Sequence, residues 1–213
     1  MTRRYERFAG ACAVAVAVGG LIYSISFMTY LKTGRLAAAK VATFLLFGGG
    51  ILVLAVLIAV YGRLREVDPS FALWALALGL VAAAASSIHG AYDLANFAKH
   101  PVGAPAGLAS LPNAVDPRGV MTFGVSGLAT LVAAWLILQG AAFPKRLGQL
   151  GIVTGLLLIV VYLGRLIILN PKNPVVLTAA ILTGFILSPL WFVWLGRELL
   201  QGSAGASIRR SAG

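Results

Sequence analysis

Six intervals of 18 to 26 residues in this sequence contain no Asp, Glu, Lys or Arg, and together they cover most of the 213 residues. An α-helix rises about 1.5 Å per residue, so each interval is long enough to cross the roughly 30 Å hydrocarbon core of a bilayer. A soluble domain that buried six such segments would have almost no polar surface left for water. The sequence therefore predicts an all-α polytopic membrane protein, a bundle of six transmembrane helices.

The expected boundaries follow from these intervals and from the residues that flank them. The helices are expected at residues 8–30, 41–62, 69–97, 117–142, 147–168 and 174–199. They form one transmembrane domain over 1–201, and a small, basic, disordered tail at 202–213 is expected to lie near anionic lipid headgroups. The first apolar run is longer than the roughly 7 to 15 residues of a signal-peptide core, so we interpret it as a retained helix.

Capping residues punctuate the predicted helices. Asp68, Asp116 and Asn173 each precede a proline and are predicted to be the N-caps of the third, fourth and sixth helices. Gly-Arg pairs are predicted to end four helices, at positions 34–35, 62–63, 164–165 and 196–197. On this interpretation Arg63 and Arg197 act only on the helix dipole, and replacing either with Gln lowers stability by no more than about 1 kcal/mol.

Small residues and one proline mark the interior of the bundle. Gly151 and Gly155, four residues apart, are typical of a close helix contact. Three consecutive glycines, 48–50, interrupt the second helix and indicate either very close packing or a bend that faces a ligand. Pro189 is expected to kink the sixth helix, and a neighbouring helix is expected to satisfy the carbonyl that loses its partner.

A polar stripe ends the third apolar interval. It consists of Ser86, His89, Asp93, Asn96 and His100, at spacings of 3, 4, 3 and 4 that place all five on one face of a helix. If this helix begins at residue 69, His89 lies about 30 Å along it, so the stripe occupies the outer end rather than the membrane midplane.

Arg165 is the expected partner of this stripe. It ends the fifth helix, which runs in the same direction as the third, and an ionisable residue near a membrane usually faces a partner or a wet cavity. The sequence therefore predicts an Asp93–Arg165 ion pair within a cluster of Ser86, His89, Asp93, Asn96 and Arg165. The cluster is either purely structural or the wall of an outward-facing pocket roofed by the proline-rich segment 97–118.

No cofactor is expected, although the stripe leaves two alternatives open. His89 and Asp93 resemble half of a zinc site, with His100 as the third ligand, but a catalytic zinc needs three firm ligands and a water. Haem or chlorin ligation through His89 is the other alternative, and a haem that carries electrons across a bilayer normally needs paired histidines.

Taken together, these features favour a non-enzymatic integral membrane protein. We expect it to bind a small apolar or amphipathic ligand, or a partner membrane subunit, through the outer polar pocket. A small transporter is the first alternative, since transporters use interrupted helices in matching halves, and residues 48–50 and Pro189 are the interruptions here. A metal- or haem-dependent enzyme that uses His89 is the second. A homo-oligomer is an open possibility, and no nucleic-acid partner is expected.

Loop charges predict the orientation. With the N-terminus inside, ten Lys and Arg residues lie on the inner side and seven on the outer side. Because positive residues are retained on the cytoplasmic side, both termini are predicted to be cytoplasmic.

Three stretches in the second half carry a resemblance. DPRG (116–119), FPKRLGQLG (143–151) and VYLGRLIILNP (161–171) look like the corresponding part of small six-helix bacterial membrane proteins of uncharacterised function. The resemblance covers roughly residues 112–200. It implies a location in the bacterial cytoplasmic membrane and no particular activity, and it assigns no functional residues.

Overall fold

A computed structural model describes residues 1–99, 115–168 and 173–202, which are almost entirely helical. Six helices within these ranges are long and apolar enough to cross a membrane: α1 (Arg3–Thr33), α2 (Leu36–Leu64), α3 (Pro69–Lys99), α4 (Val120–Gln139), α5 (Lys145–Ile167) and α6 (Pro174–Gln201). The outer surface of the bundle carries large exposed apolar side chains, such as Phe8, Ile25, Ile88 and Val175. The protein is therefore an all-α, multi-pass membrane protein, as predicted.

The six helices form a closed ring. Each helix packs against its neighbours in the chain, and α6 also packs against α1. Because successive helices alternate in direction, α1, α3 and α5 begin at one end of the bundle, here called the terminal end, and α6 finishes there. The other end, where α2, α4 and α6 begin, is called the far end.

The helix bounds differ from the expected ones mainly where charged residues continue a helix. α1 begins at Arg3, behind Thr2, whose hydroxyl accepts a hydrogen bond from the amide of Tyr5 at 3.4 Å. α4 begins later than expected, at Val120, because Arg118 and Gly119 adopt left-handed backbone angles with φ of 58° and 77°. The expected tail lies outside the described residues except for its first residue.

Two of the three predicted N-caps are confirmed at their expected helices. The Asp68 carboxylate accepts hydrogen bonds from the amides of Ser70 and Phe71 at 2.9 and 3.0 Å. The Asn173 side chain accepts one from the amide of Val175 at 3.0 Å. The Asp116 carboxylate also binds amides in the first turn of α4, those of Met121 and Thr122, but it does so across the Arg118–Gly119 turn, because α4 begins only at Val120.

The Gly-Arg prediction is correct at only one of its four positions. Gly34 ends α1 with φ of 67°. The helices α2, α5 and α6 instead continue past Gly62, Gly164 and Gly196. Close packing explains why a glycine occupies position 196, since an added Cβ would lie 2.9 Å from the carbonyl oxygen of Gly10 in α1.

Arg63 corrects the interpretation of these arginines most clearly. Its guanidinium is buried and forms a two-pronged ion pair with Glu6 of α1, at 3.0 Å from Nε and 3.1 Å from Nη2. Nη2 also donates to the carbonyl of Glu198 in α6 at 3.2 Å, and the guanidinium lies over the Phe143 ring. Arg63 therefore ties α2 to α1, to α6 and to the connection after α4.

Small residues bring other helices together as predicted. Gly127 of α4 and Gly155 of α5 face each other, since a Cβ on either would lie 2.8 Å from the carbonyl oxygen of the other. Gly50 lies against α3, where a Cβ would overlap Ser87 and the carbonyl of Ala83. Gly48, in contrast, has open space beside it, so the glycine run combines close packing with access to a cavity.

Pro189 disturbs α6 as expected. The preceding residues, Leu182–Leu187, form a wider π-helical turn, which relieves the loss of the proline amide. Ser24 of α1 donates a hydrogen bond to the carbonyl of Gly184 at 3.3 Å. A neighbouring helix thus satisfies a carbonyl in this interruption, as predicted.

Packing is uneven along the bundle. The main buried cluster lies in the terminal half and includes Leu64, Leu136, Ile137, Leu147 and Leu195. A second, small cluster of Tyr30, Ala39 and Phe97 closes α1, α2 and α3 at the far end. A cavity extends from the main cluster, whose members Leu64 and Leu195 line it, to Ser86, where the polar stripe begins.

The buried ion pair generates the first prediction. Because removing one partner leaves an uncompensated buried charge, Arg63→Gln and Glu6→Gln should each lower the unfolding free energy by about 3 to 5 kcal/mol, and the double variant by less than the sum. Arg197→Gln is the matched control, since Arg197 is exposed and should contribute no more than about 1 kcal/mol. Unfolding of the detergent-solubilised protein, followed by circular dichroism, measures each value. Equal small losses for both arginines would contradict the buried pair.

Candidate functional site

The polar stripe is built around His89 and Asp93 of α3. They lie one helical turn apart, with Nε2 of His89 3.1 Å from Oδ2 of Asp93. Both side chains face the bundle interior, with exposed fractions of 13% and 7%. The 3.6-residue helical period alone brings these two groups together, and the structure places these two predicted members in contact.

Asp116 is a third member of the cluster. It precedes α4 and is completely buried, and its Oδ2 lies 3.9 Å from Nδ1 of His89. Its carboxylate accepts hydrogen bonds from the amides of Met121 and Thr122, at 2.8 and 3.0 Å, and from the Thr122 hydroxyl at 2.5 Å. One imidazole therefore lies between two carboxylates.

Sequence reasoning treated Asp116 only as an N-cap. The Arg118–Gly119 turn changes its role, because two successive left-handed residues fold the chain back towards the carboxylate. Gly119 is required in this turn, where a Cβ would lie 2.5 Å from the Phe123 ring and 3.1 Å from Nη1 of Arg165. The Arg-Gly pair after Asp-Pro is the one signal in the sequence that could have indicated this turn.

Arg165 joins the cluster by a different route from the predicted one. The ion pairs of the described residues do not include Asp93–Arg165. The Arg165 guanidinium instead lies 5.2 Å above the Phe123 ring, within electrostatic range of Asp116. Asp93 and Arg165 were expected to pair because they lie at the same depth in the membrane. However, α4 lies between α3 and α5 in the ring, so Arg165 contacts the start of α4 instead of Asp93.

The remaining predicted members contribute less. The Ser86 hydroxyl donates to the carbonyl of Ala82 in its own helix at 2.9 Å. Asn96 is half-buried, and none of the hydrogen bonds between described side chains involves it. His100 and most of the proline-rich segment lie outside the described residues. Of the five predicted residues of the stripe, the structure thus places His89 and Asp93 in the cluster.

Tyr23 of α1 is a neighbour that the sequence did not indicate. Its phenol lies within electrostatic range of both Asp93 and Arg165. It also lines the cavity, together with Ser86 and with Ser126 of α4. Tyr23 therefore lies where the polar cluster and the apolar interior meet.

The intramembrane cavity has a volume of about 390 Å³ and lies between α1, α2, α3, α4 and α6. Its wall is almost entirely apolar and runs along α3 from Ala72 to Ser86, a distance of about 20 Å. Gly48 and Gly49 of α2 line its middle and leave open space. A long, narrow, apolar space thus ends one helical turn before His89.

Two buried atoms of the cluster have no hydrogen-bond partner among the described residues: Oδ1 of Asp93 and Nδ1 of His89. Buried polar atoms nearly always have such a partner, so these two indicate a place where a polar group can bind. Coordination of zinc or a haem iron through Nε2 of His89 would break the contact with Asp93, whereas Nδ1 has no hydrogen bond to lose. Within the described ranges, no group of three or more His, Cys, Asp or Glu side chains is placed to hold a metal ion.

In comparisons with protein families, curated proteins and solved structures, the chain has no match. Its class is defined by its own fold as a multi-pass membrane protein. The combination of a polar cluster with an apolar intramembrane cavity is the feature from which function has to be argued.

The geometry of the cluster generates the second prediction. Combining Asp93→Asn with His89→Gln should give a change in unfolding free energy that departs from additivity by about 0.5 to 3 kcal/mol, because the two groups are in contact. The double variant of Asp93→Asn with Arg165→Gln should depart less from additivity than this first pair. The double variant of Asp116→Asn with Arg165→Gln should depart more from additivity than the Asp93–Arg165 double variant. Denaturation of the four singles and three doubles measures these couplings. A larger coupling of Asp93 with Arg165 than with His89 would support the Asp93–Arg165 ion pair that the sequence predicts and would contradict the contacts described here.

Proposed function

We propose that this protein is a non-enzymatic membrane protein that binds a single-chain amphipathic molecule from the bilayer. The hydrocarbon chain lies in the intramembrane cavity, and the polar group contacts the cluster of His89, Asp93 and Asp116. The observation that carries this proposal is the position of Ser86 and Tyr23. Both line the cavity, while His89 follows Ser86 on the same face of α3 and Tyr23 lies within range of Asp93.

The dimensions of the cavity support this class of ligand. Its volume falls within the roughly 300 to 1,000 Å³ of small-molecule sites. Its length of about 20 Å suits an extended chain better than a compact ring system. A partner helix, with a diameter of about 10 Å, does not fit inside it.

Access from the lipid is supported by Phe44 of α2, which lines the cavity although 58% of its surface is exposed on the outside of the bundle. Gly20 of α1 also lines the cavity, and neither Gly20 nor Gly48 has a neighbouring atom within 4 Å of an added Cβ. We propose that a molecule dissolved in the bilayer enters past Phe44, between α1 and α2.

The transport and cofactor alternatives have less support. A transporter built from two halves needs interrupted helices at matching positions. The two π-helical turns, Val120–Val125 and Leu182–Leu187, both lie in the second half, whereas α2 is continuous through residues 48–50. Haem or zinc binding through His89 predicts a coloured or metal-containing purified protein, which an absorbance spectrum and metal analysis can test.

We further propose a location in the bacterial cytoplasmic membrane, with both termini cytoplasmic. The resemblance of the second half supports the location, and the excess of positive residues at the terminal end supports the orientation. Arg3, Arg4 and Arg7 are exposed in the first turns of α1, where they can contact anionic lipid headgroups together with the basic tail.

The third prediction tests the cavity. Gly48→Leu places a side chain in space that is open, so the protein should fold normally but lose binding of a long-chain alcohol by roughly tenfold or more, equivalent to at least about 1.4 kcal/mol. Native mass spectrometry of the purified protein with added hexadecanol measures the bound fraction.

Ala77→Leu is the matched control for this variant. Ala77 lies on the lipid-facing side of α3 and does not line the cavity, so the same side chain there should leave binding unchanged. Equal binding by Gly48→Leu and the wild-type protein would contradict the proposed site.

The fourth prediction tests orientation in a Cys12→Ser background, which removes the single cysteine of the sequence. Thr33→Cys places a thiol at the exposed end of α1 at the far end, and Glu66→Cys places one in the exposed turn at the terminal end. A membrane-impermeant maleimide should label Thr33→Cys in intact cells and Glu66→Cys only after the membrane is opened. The reverse pattern would place both termini outside.

A further inference from the structure

We propose, on the basis of the proposed function, that the site selects a chain whose polar group is an uncharged or cationic hydrogen-bond donor. A hydroxyl or an amine on a hydrocarbon chain satisfies this description, whereas the carboxylate of a fatty acid does not. Selection rests on the free oxygen of Asp93.

The cavity cannot make this selection by itself. Lipid tails are as apolar as its wall, so moving a chain from the bilayer into the cavity gains little beyond packing. A ligand is therefore distinguished from the surrounding lipid mainly by the contacts of its polar group. The wall of the cavity ends at Ser86, and His89 and Asp93 follow about one and two helical turns further along α3, so the polar group has to extend past Ser86 to reach them.

Asp93 presents the group that needs a partner. Only 5% of the residue is exposed, one carboxylate oxygen faces His89, and Oδ1 has no hydrogen-bond partner among the described residues. We take the side chain as the carboxylate that faces Nε2 of His89 at 3.1 Å. A carboxylate only accepts hydrogen bonds, so the complementary ligand group must donate one. Hydrogen bonds to a buried charge are also the strong ones.

Asp116 is already satisfied and does not compete for the ligand. Its oxygens accept three hydrogen bonds from Met121 and Thr122, and Arg165 lies within electrostatic range of it. The ion pairs of the described residues do not join Arg165 to Asp93. A ligand carboxylate beside Asp93 would meet a like charge in surroundings of low polarity, which disfavours binding.

The experiment uses the full chain, purified in detergent, with three probes of equal length: hexadecanol, hexadecylamine and palmitate. Each is mixed with the protein at the same concentration, and native mass spectrometry measures the bound fraction. The alcohol and the amine should each bind roughly tenfold or more tightly than palmitate, which corresponds to one charge-assisted hydrogen bond. This comparison needs only the wild-type protein.

Asp93→Asn then tests the residue. The amide keeps the shape of the side chain but removes its charge, so the preference over palmitate should fall to about threefold or less while hexadecanol still binds. Glu66→Gln is the matched control, because Glu66 is an exposed carboxylate at the terminal end and its loss should leave the tenfold preference unchanged.

The outcomes separate the two proposals. If palmitate binds the wild-type protein as tightly as the alcohol and the amine, and Gly48→Leu weakens all three, the headgroup selection is wrong and the cavity remains the chain site. If Asp93→Asn folds and keeps the full preference, Asp93 is not the selecting group. If none of the probes binds, or Gly48→Leu binds all of them like the wild-type protein, the proposed function itself fails and this inference with it.

Discussion

A charged side chain inside a membrane protein must find its partner within the bundle, and this constraint shapes both ends of the structure. At the terminal end, Glu6 and Arg63 pair across α1 and α2 in a buried contact that also reaches α6. At the far end, His89 lies between Asp93 and Asp116, and the Arg165 guanidinium lies over the Phe123 ring at the start of α4. The two sets differ in completeness, because the first is fully paired whereas the second retains unpartnered atoms.

The packing of the bundle combines a large apolar cluster with a cavity. The large apolar cluster surrounds the Glu6–Arg63 end, where close glycine contacts such as Gly10 with Gly196 hold the helices together. The cavity begins within this cluster, since Val60, Leu64 and Leu195 line it, and it extends past Gly48 and Gly49 to Ser86. The core thus leaves room for a ligand, and Asp93 lies about two helical turns beyond Ser86, the last residue of α3 that lines the cavity.

The sequence predicts those features that depend on one helix at a time. Uncharged intervals locate all six helices because hydrocarbon excludes charge, and helical periodicity brings His89 to Asp93. The sequence does not predict features that depend on which helices are neighbours. Arg165 was expected to pair with Asp93 because both lie at the same membrane depth, but α4 lies between their helices. The Glu6–Arg63 pair joins positions 57 residues apart, so neither residue signals the other. Asp116 was predicted as a cap of α4, but its place beside His89 was missed because it depends on a left-handed turn that capping rules do not describe.

The central claim is that the cavity between α1, α2, α3, α4 and α6 holds a hydrocarbon chain whose polar group reaches Asp93. A long-chain alcohol with a photoreactive diazirine in mid-chain tests this directly in lipid bilayers, with labelled peptides mapped by mass spectrometry. We predict labelling on the cavity face of α3, at Leu76 and Ala83, that excess hexadecanol suppresses. Labelling of the lipid-facing side chains Leu73, Val81 and Ile88 should resist competition. Labelling confined to that outer face, or unaffected by competitor on both faces, would contradict the account.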